Sequence, residues 1–299
     1  MNELRERLVK AEKLISGSKV QKFLSIPFKY VYSFVYRKLY SGNYNKATIL
    51  QAEIISGDKI NILFPSANDI YLFGCKSHDS ELRLTWYLLN NLKPNHLFID
   101  AGAHFGFYSI LAARIMENKG KVLSFEPSTE TFAVLNKNIA NIPAIQAMNM
   151  AVYKEETILA FYQYPVLQSE YNTAKPIENL ISTQPLKIEV KATSIDAVLI
   201  GVSVTGNVTV KIDVEGAEFD VLKGMEQTIN THKPVIILEY FESYPTDNYL
   251  NCLAFLSVMH YSPFNITEHG KLVPATLLAK VADMVADSSD NIVFCYNPA

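Results

Sequence analysis

Only three cysteines, Cys75, Cys252 and Cys295, occur in the 299 residues. Their odd number and wide spacing exclude a disulfide framework and every metal-ligand spacing, so each reads as a small buried hydrophobe in a reducing environment. Also missing is a run of about 18 uncharged apolar residues, the least that a spanning helix requires. Residues 1–16 are too charged for the apolar core of a secretory signal and read instead as an amphipathic helix. With a formal net charge of -3, the chain lacks the basic excess that argues for nucleic acid. No internal repeat or low-complexity segment is visible. A cytoplasmic location and no nucleic-acid partner are therefore expected.

What is present is the material of a large core, since 49% of residues are hydrophobic and 19% charged. That balance excludes a disordered chain. The organising stretch is Leu97-Phe98-Ile99-Asp100-Ala101-Gly102-Ala103-His104-Phe105-Gly106. Residues 97–99 are apolar on both faces, as in a buried parallel strand. Phe107, Ile110, Leu111 and Ile115 then recur at helical spacing, with Gly120 where a helix would end. A strand, a glycine turn and a helix start together make a nucleotide site. Glycine lets the backbone approach a ligand, and the helix start offers unpaired N–H groups. The spacing is D-x-G-x-x-x-G, not the G-x-G-x-x-G of a dinucleotide fold. Asp100 at the strand end would repel a pyrophosphate but suits a ligand that bears an amino group. S-adenosylmethionine is the common nucleotide of that kind. The next strand, Lys121–Phe125, ends in Glu126-Pro127, where an acid is placed to take both ribose hydroxyls.

In chain order, residues 1–44 read as a helical, aromatic and basic appendage to a domain over 45–299. That domain divides into a hairpin and lead-in helix over 45–96 and a core sheet over 97–299. Leu4, Leu8, Ala11 and Ile15 share one helical stripe. Phe23, Ile26, Phe28, Tyr30, Val31, Phe34, Val35 and Tyr40 then crowd together with Lys19, Lys22, Lys29, Arg37 and Lys38. Such interleaving suits packing on the domain or self-association more than a location peripheral to a membrane, the other reading it allows. Residues 46–74 alternate around Ser56-Gly57-Asp58, the signature of a hairpin that would cover one end of the main sheet. A helix is expected over 81–92.

Beyond residue 97 strand and helix alternate. A helix over Thr129–Ile139 is capped by Ser128, and a third strand runs over 144–152. The rhythm breaks over 154–206, with alternating runs at 159–162 and 186–192 and a candidate active-site loop at 168–173. It resumes with a strand at Val208–Ile212, a helix over 215–231, a strand at 235–238 and a helix over 247–259. Short strands at Tyr261–Ile266 and 291–296 finish the chain. Alternation of this kind predicts an α/β, doubly wound, mostly parallel sheet between helices.

A second constellation is Val210-Lys211-Ile212-Asp213-Val214-Glu215-Gly216-Ala217-Glu218. Asp213 stands at a strand tip and should face the same crevice as Asp100, with Glu215 and Glu218 opening a helix. Glu239, after Val235-Ile236-Ile237-Leu238, repeats the arrangement. With these residues in view, the chain resembles the FkbM family of S-adenosylmethionine-dependent methyltransferases, through FIDAGAHFGFYS, VLSFEP, KIDVEGAEFDVLKG and KPVIILEY. The resemblance covers roughly residues 70–296. It implies a class I methyltransferase fold, with a seven-stranded sheet whose last strand is antiparallel, and an O-methyltransferase acting on a hydroxyl of a sugar, glycan or natural-product-like acceptor. His104 stands where the family usually has Asn, and Tyr153-Lys154 where a small residue and an Asp are usual.

The expected cofactor-binding residues are Asp100, Gly102, Ala103, Gly106, Tyr108, Glu126 and Pro127. A hydroxyl nucleophile needs its proton removed, and Asp213, His104 and Glu239 are the candidates, Asp213 first. Asp213, Glu215 and Glu239 would also suit Mg²⁺, although no tight metal motif is present. His78 and Glu81 lie within reach of the site. The alternatives are a non-catalytic fold that binds S-adenosylmethionine and a nucleotide-dependent oxidoreductase, the latter disfavoured by Asp100.

Overall fold

In the computed structural model, which describes residues 1–39, 48–165, 168, 172–175, 184–241, 246–275 and 289–297, three helices lead the chain. They are α1 (Asn2–Ser16), α2 (Lys19–Ser25) and α3 (Pro27–Leu39). A hairpin of β1 (Thr48–Glu53) and β2 (Lys59–Phe64) follows, then α4 (Asn68–Phe73) and α5 (Asp79–Asn91). The alternating unit comprises β3 (Leu97–Ala101), α6 (Phe107–Ile115), β4 (Lys121–Phe125), α7 (Thr129–Ile139) and β5 (Ile145–Met148). A side sheet uses β6 (Ala151–Val152), β7 (Thr157–Gln163) and β8 (Leu186–Thr193), before α8 (Ile195–Leu199). The chain then forms β9 (Val208–Ile212), α9 (Glu218–Lys223), α10 (Glu226–His232), β10 (Val235–Phe241) and α11 (Thr246–Val258). The last strands are β11 (Tyr261–Ile266), β12 (Leu272–Pro274) and β13 (Ser289–Tyr296).

The main sheet runs β12-β11-β13-β10-β9-β3-β4-β5. β5, β4, β3, β9 and β10 are mutually parallel, and β13 is antiparallel to both β10 and β11. This is the expected doubly wound sheet of the class I methyltransferase type with its antiparallel last strand. The short β12 adds an eighth strand at one edge. Strand order reverses at β3, which lies between β4 and β9, so the crevice for a ligand opens at the carboxyl ends of these strands. Alternate residues feed two cores. Phe98, Val122 and Ile237 pack with α5, α6 and α7, while Ile99, Leu123 and Leu238 pack with the helices that follow β8.

Several boundaries differ from the sequence reading. The strand expected over 144–152 is two: β5 stays in the main sheet, and β6 pairs with β8 in the side sheet. The helix expected over 215–231 is also two, which meet at Gly224, where a Cβ would lie 2.1 Å from the Tyr153 carbonyl oxygen; the second starts afresh with the Gln227 and Thr228 amides donating to the Asp196 carboxylate. The hairpin packs on α4 and α7, where the Asn61 amide donates to Asn138 Oδ1 at 2.7 Å. Much of the expected appendage is joined to the domain. Leu4, Leu8 and Ala11 of α1 enter the same core as Leu88 and Ile110, and Arg5 Nη2 donates to the Leu89 carbonyl at 3.1 Å.

Candidate active site

The turn after β3 is shaped by close approach. Gly102 has φ 86°, and a Cβ there would lie 1.8 Å from the Asp213 carbonyl oxygen, so no other residue fits. The Asp213 amide in turn donates to the Ala101 carbonyl at 3.0 Å, which holds the ends of β3 and β9 side by side. The Gly102 and Ala103 amides both donate to the Phe125 carbonyl, at 3.1 and 2.9 Å. His104 has φ 50°, a region that Asn and His enter more readily than most residues. Its amide donates to Glu126 Oε2 at 3.0 Å, and the Ser128 amide donates to Oε1 at 2.9 Å. The Glu126 carboxylate is thereby fixed at the tip of β4.

A cavity of about 1290 Å³ opens at these strand ends. Gly102, Ala103, His104, Tyr108, Glu126, Pro127, Asp213, Glu215 and Glu239 all line it, and so do His78 and Glu81. Gly106 is not at the wall; its φ of 87° starts α6, and a Cβ would lie 2.6 Å from Leu135 Cδ1. Asp100 is not at the wall either. It accepts from Ser109 Oγ at 2.6 Å, and its Oδ1 is buried with no hydrogen-bond partner among the described residues. Glu218 also lies outside the wall, where it accepts from the Gly216 amide and from Asn248 at the start of α9. Glu215, expected to open that helix, sits before it with φ 56°.

Part of the cavity wall is a charged cluster. Lys211 is only 2% exposed, near the end of β9, and its Nζ lies 2.7 Å from Asp213 Oδ2. Lys76 Nζ lies 3.1 Å from Glu81 Oε1, and both ammonium groups stand within 5.3 Å of the Tyr108 ring centroid. The Tyr108 hydroxyl donates to Glu81 Oε2. Burial works against an ionised Asp213, but Lys211, a hydrogen bond with Glu239 and Lys76 together hold its carboxyl well below the usual range. Burial and the adjoining Asp213 charge push Glu239 well above it. One proton is thus shared by the pair and rests on Glu239. Burial, reinforced by Lys76, lowers His104 to about 3, so its ring is neutral at ordinary pH. Burial raises Glu126 to about 8, against the opposing effect of its two amide bonds.

Residues 100–267, more than half of the chain, match the sequence profile of the methyltransferase FkbM domain. The chain belongs to the FkbM methyltransferase family. It is 27% identical over 151 residues to Methyltransferase 1 of Beauveria bassiana, covering 44% of this chain and 60% of that protein. It is also 27% identical over 151 residues to Hexuronic acid methyltransferase AglP of Haloferax volcanii, covering 50% of this chain and 58% of that one. The match thus spans about three fifths of the length of these curated relatives. Among solved structures it is similar to the methyltransferase FkbM from Methylobacillus flagellatus KT, with TM-score 0.44 and 13% identity over 77% of this chain and 53% of that one.

In this FkbM-family chain two parts of the site escaped sequence reasoning. By its sequence Lys211 reads only as part of a strand, although a lysine inside a buried apolar run demands a carboxylate partner. The wall formed by α3, through Tyr30, Ser33, Phe34, Arg37 and Lys38, reads from the sequence as a packing surface, with nothing to place it at the cavity. Of the candidate loop at 168–173, residues 169–171 lie outside the described residues. Asn172 lines the cavity, and Thr173 Oγ1 donates to the Glu215 carbonyl at 2.5 Å. Asp213, Glu215 and Glu239 bring carboxylate oxygens within 4.8 Å of one another, an arrangement of hard donors that fits a divalent cation.

Proposed function

We propose that the chain transfers a methyl group from S-adenosylmethionine to a hydroxyl of a sugar, glycan or natural-product-like small molecule. The observation that carries this reading is the Glu126 carboxylate, fixed by the His104 and Ser128 amides at the strand end beside the cavity. One feature of the wall fits the cofactor: Glu126 offers oxygens to a ribose diol. Asp100, whose Oδ1 has no hydrogen-bond partner among the described residues, lies behind that wall. Bound there, S-adenosylmethionine supplies an electrophilic methyl group on a cationic sulfur. Family membership supports methyl transfer, and the relative named for hexuronic acid supports a sugar-like acceptor.

The chain's own residues would align the acceptor, exclude water and take up its proton. Glu239 is the stronger proton acceptor of the Asp213–Glu239 pair. A positive charge entering the cavity weakens its hold on the shared proton and so readies it as the base. Asp213, held by Lys211, keeps Glu239 in place. The test is methyl transfer from labelled S-adenosylmethionine to a panel of glycans and hydroxylated metabolites. Label on an acceptor oxygen supports the reading; binding of the cofactor with no transfer to any acceptor or cell extract favours a silent binding protein.

A second reading rests on the three carboxylates. A divalent cation held by Asp213, Glu215 and Glu239 would replace the shared proton and polarise the acceptor hydroxyl. Loss of turnover on chelation, restored by Mg²⁺, would select it.

A further inference from the structure

Residues 17–39 hold Lys19, Lys22, Lys29, Arg37 and Lys38 and not one acidic residue, in a chain whose formal net charge is -3. Their inner face is already satisfied. The rings of Tyr32 and Tyr36 pack on Phe64 at 5.7 and 5.1 Å, Ser33 Oγ donates to Asn68, and Lys22 and Lys29 lie over the Phe73 and Tyr71 rings. The outer face is apolar and bare. Val20, Leu24, Phe28, Val31, Val35 and Leu39 recur at helical spacing, with Leu24 72%, Phe28 90% and Leu39 70% exposed. Single exposed apolar residues are ordinary on protein surfaces, but six of them on two successive helices mark a docking face.

We propose that α2 and α3 dock this protein on an anionic lipid bilayer. The apolar stripe enters the boundary between headgroups and acyl chains, while the exposed Lys19, Arg37 and Lys38 meet the headgroup phosphates. Among the described residues no helix is long and apolar enough to cross a membrane, so these helices lie along the surface. A second copy of the chain is the poorer occupant. A two-fold contact through this stripe would set the exposed Lys19, Arg37 and Lys38 against the same three, like charge against like. Phe34, Arg37 and Lys38 also line the cavity, so its mouth borders the docking face and an acceptor displayed at a membrane surface has short access.

Docking does not depend on methyl transfer, and it is measured without cofactor. The full chain is floated with vesicles of phosphatidylcholine alone or mixed with phosphatidylglycerol, at low and high salt. It should float with the mixed vesicles and largely sink with phosphatidylcholine alone. Each exposed basic residue near an anionic surface strengthens partition by about fivefold, so salt should weaken binding steeply. The triple variant Leu24→Asp, Phe28→Asp, Val35→Asp should sink while keeping its circular dichroism and melting temperature. Three results would overturn the proposal: a native chain that sinks with anionic vesicles, a triple variant that floats, or a native dimer that the variant renders monomeric. The last would assign the stripe to self-association. A chain that floats yet binds no S-adenosylmethionine keeps this inference and loses the proposed function.

Discussion

The Lys211 ammonium, near the end of β9, and the Asp213 carboxylate, just past that end, lie 2.7 Å apart, with the lysine almost wholly buried. Each charge is tolerable only because of the other. Asp100, paired in register with Lys211 across β3 and β9, adds a second acid on the same side. Lys211→Met should therefore cost on the order of 3–5 kcal/mol, as for a buried ion pair stripped of one partner. Asp213 has a depressed folded value, so its stabilisation is present above the unfolded range and lost as pH falls. The gap between native and variant, measured by urea unfolding, should be full above about pH 4 and narrow below it.

Assignment of the base is tested by single substitutions. Glu239→Gln and Asp213→Asn should each lower turnover by about a hundredfold or more while cofactor affinity changes little. His104→Asn should keep turnover within about tenfold, because the neutral His104 ring is a poor proton acceptor and Asn tolerates φ of the same sign. A fully active Glu239→Gln enzyme with an inactive His104→Asn enzyme would reverse the assignment.

Two glycines with similar dihedral angles should respond differently to alanine. Gly201, at φ 77°, has nothing within 4 Å of an added Cβ, whereas Gly102 meets the Asp213 carbonyl. Gly201→Ala should cost about 1–2 kcal/mol from backbone strain alone. Gly102→Ala must also part β3 from β9, and should cost at least ~3 kcal/mol or prevent folding. Thermal unfolding of both variants is the check.

Much of the fold was legible from the sequence, because parallel strands buried on both faces read as short apolar runs between amphipathic helices. Asp100, Glu126 and Asp213 could be placed at strand ends for the same reason. The misplaced boundaries have tertiary causes. Nothing in the period of 144–152 marks a change of sheet, and nothing in 215–231 marks the close approach of Gly224 to Tyr153 or the new helix start capped by Asp196. The cluster of Lys76, Glu81 and Tyr108 joins separate segments that share no local pattern. Lys211 was readable in principle, since a charge in V-T-V-K-I announces an unseen partner.

Glu126 carries a pH signature. With its folded value raised to about 8, the native state holds a proton that the unfolded state releases near the ordinary glutamate range. Its contribution to stability is therefore full below about pH 4.3 and lost as pH rises through the folded value. Glu126→Gln should flatten the fall in stability across that window relative to the native chain. Identical slopes for the two proteins would show that the carboxyl titrates normally.

Calorimetry of the native chain with S-adenosylmethionine, S-adenosylhomocysteine and NAD tests the central claim most directly, with Glu126→Ala run beside it. Both S-adenosyl compounds should bind and NAD should not. Glu126→Ala should weaken S-adenosylmethionine by about 1–3 kcal/mol, the size of two lost hydrogen bonds to a ribose diol. Tight binding of NAD with none of S-adenosylmethionine would contradict the account.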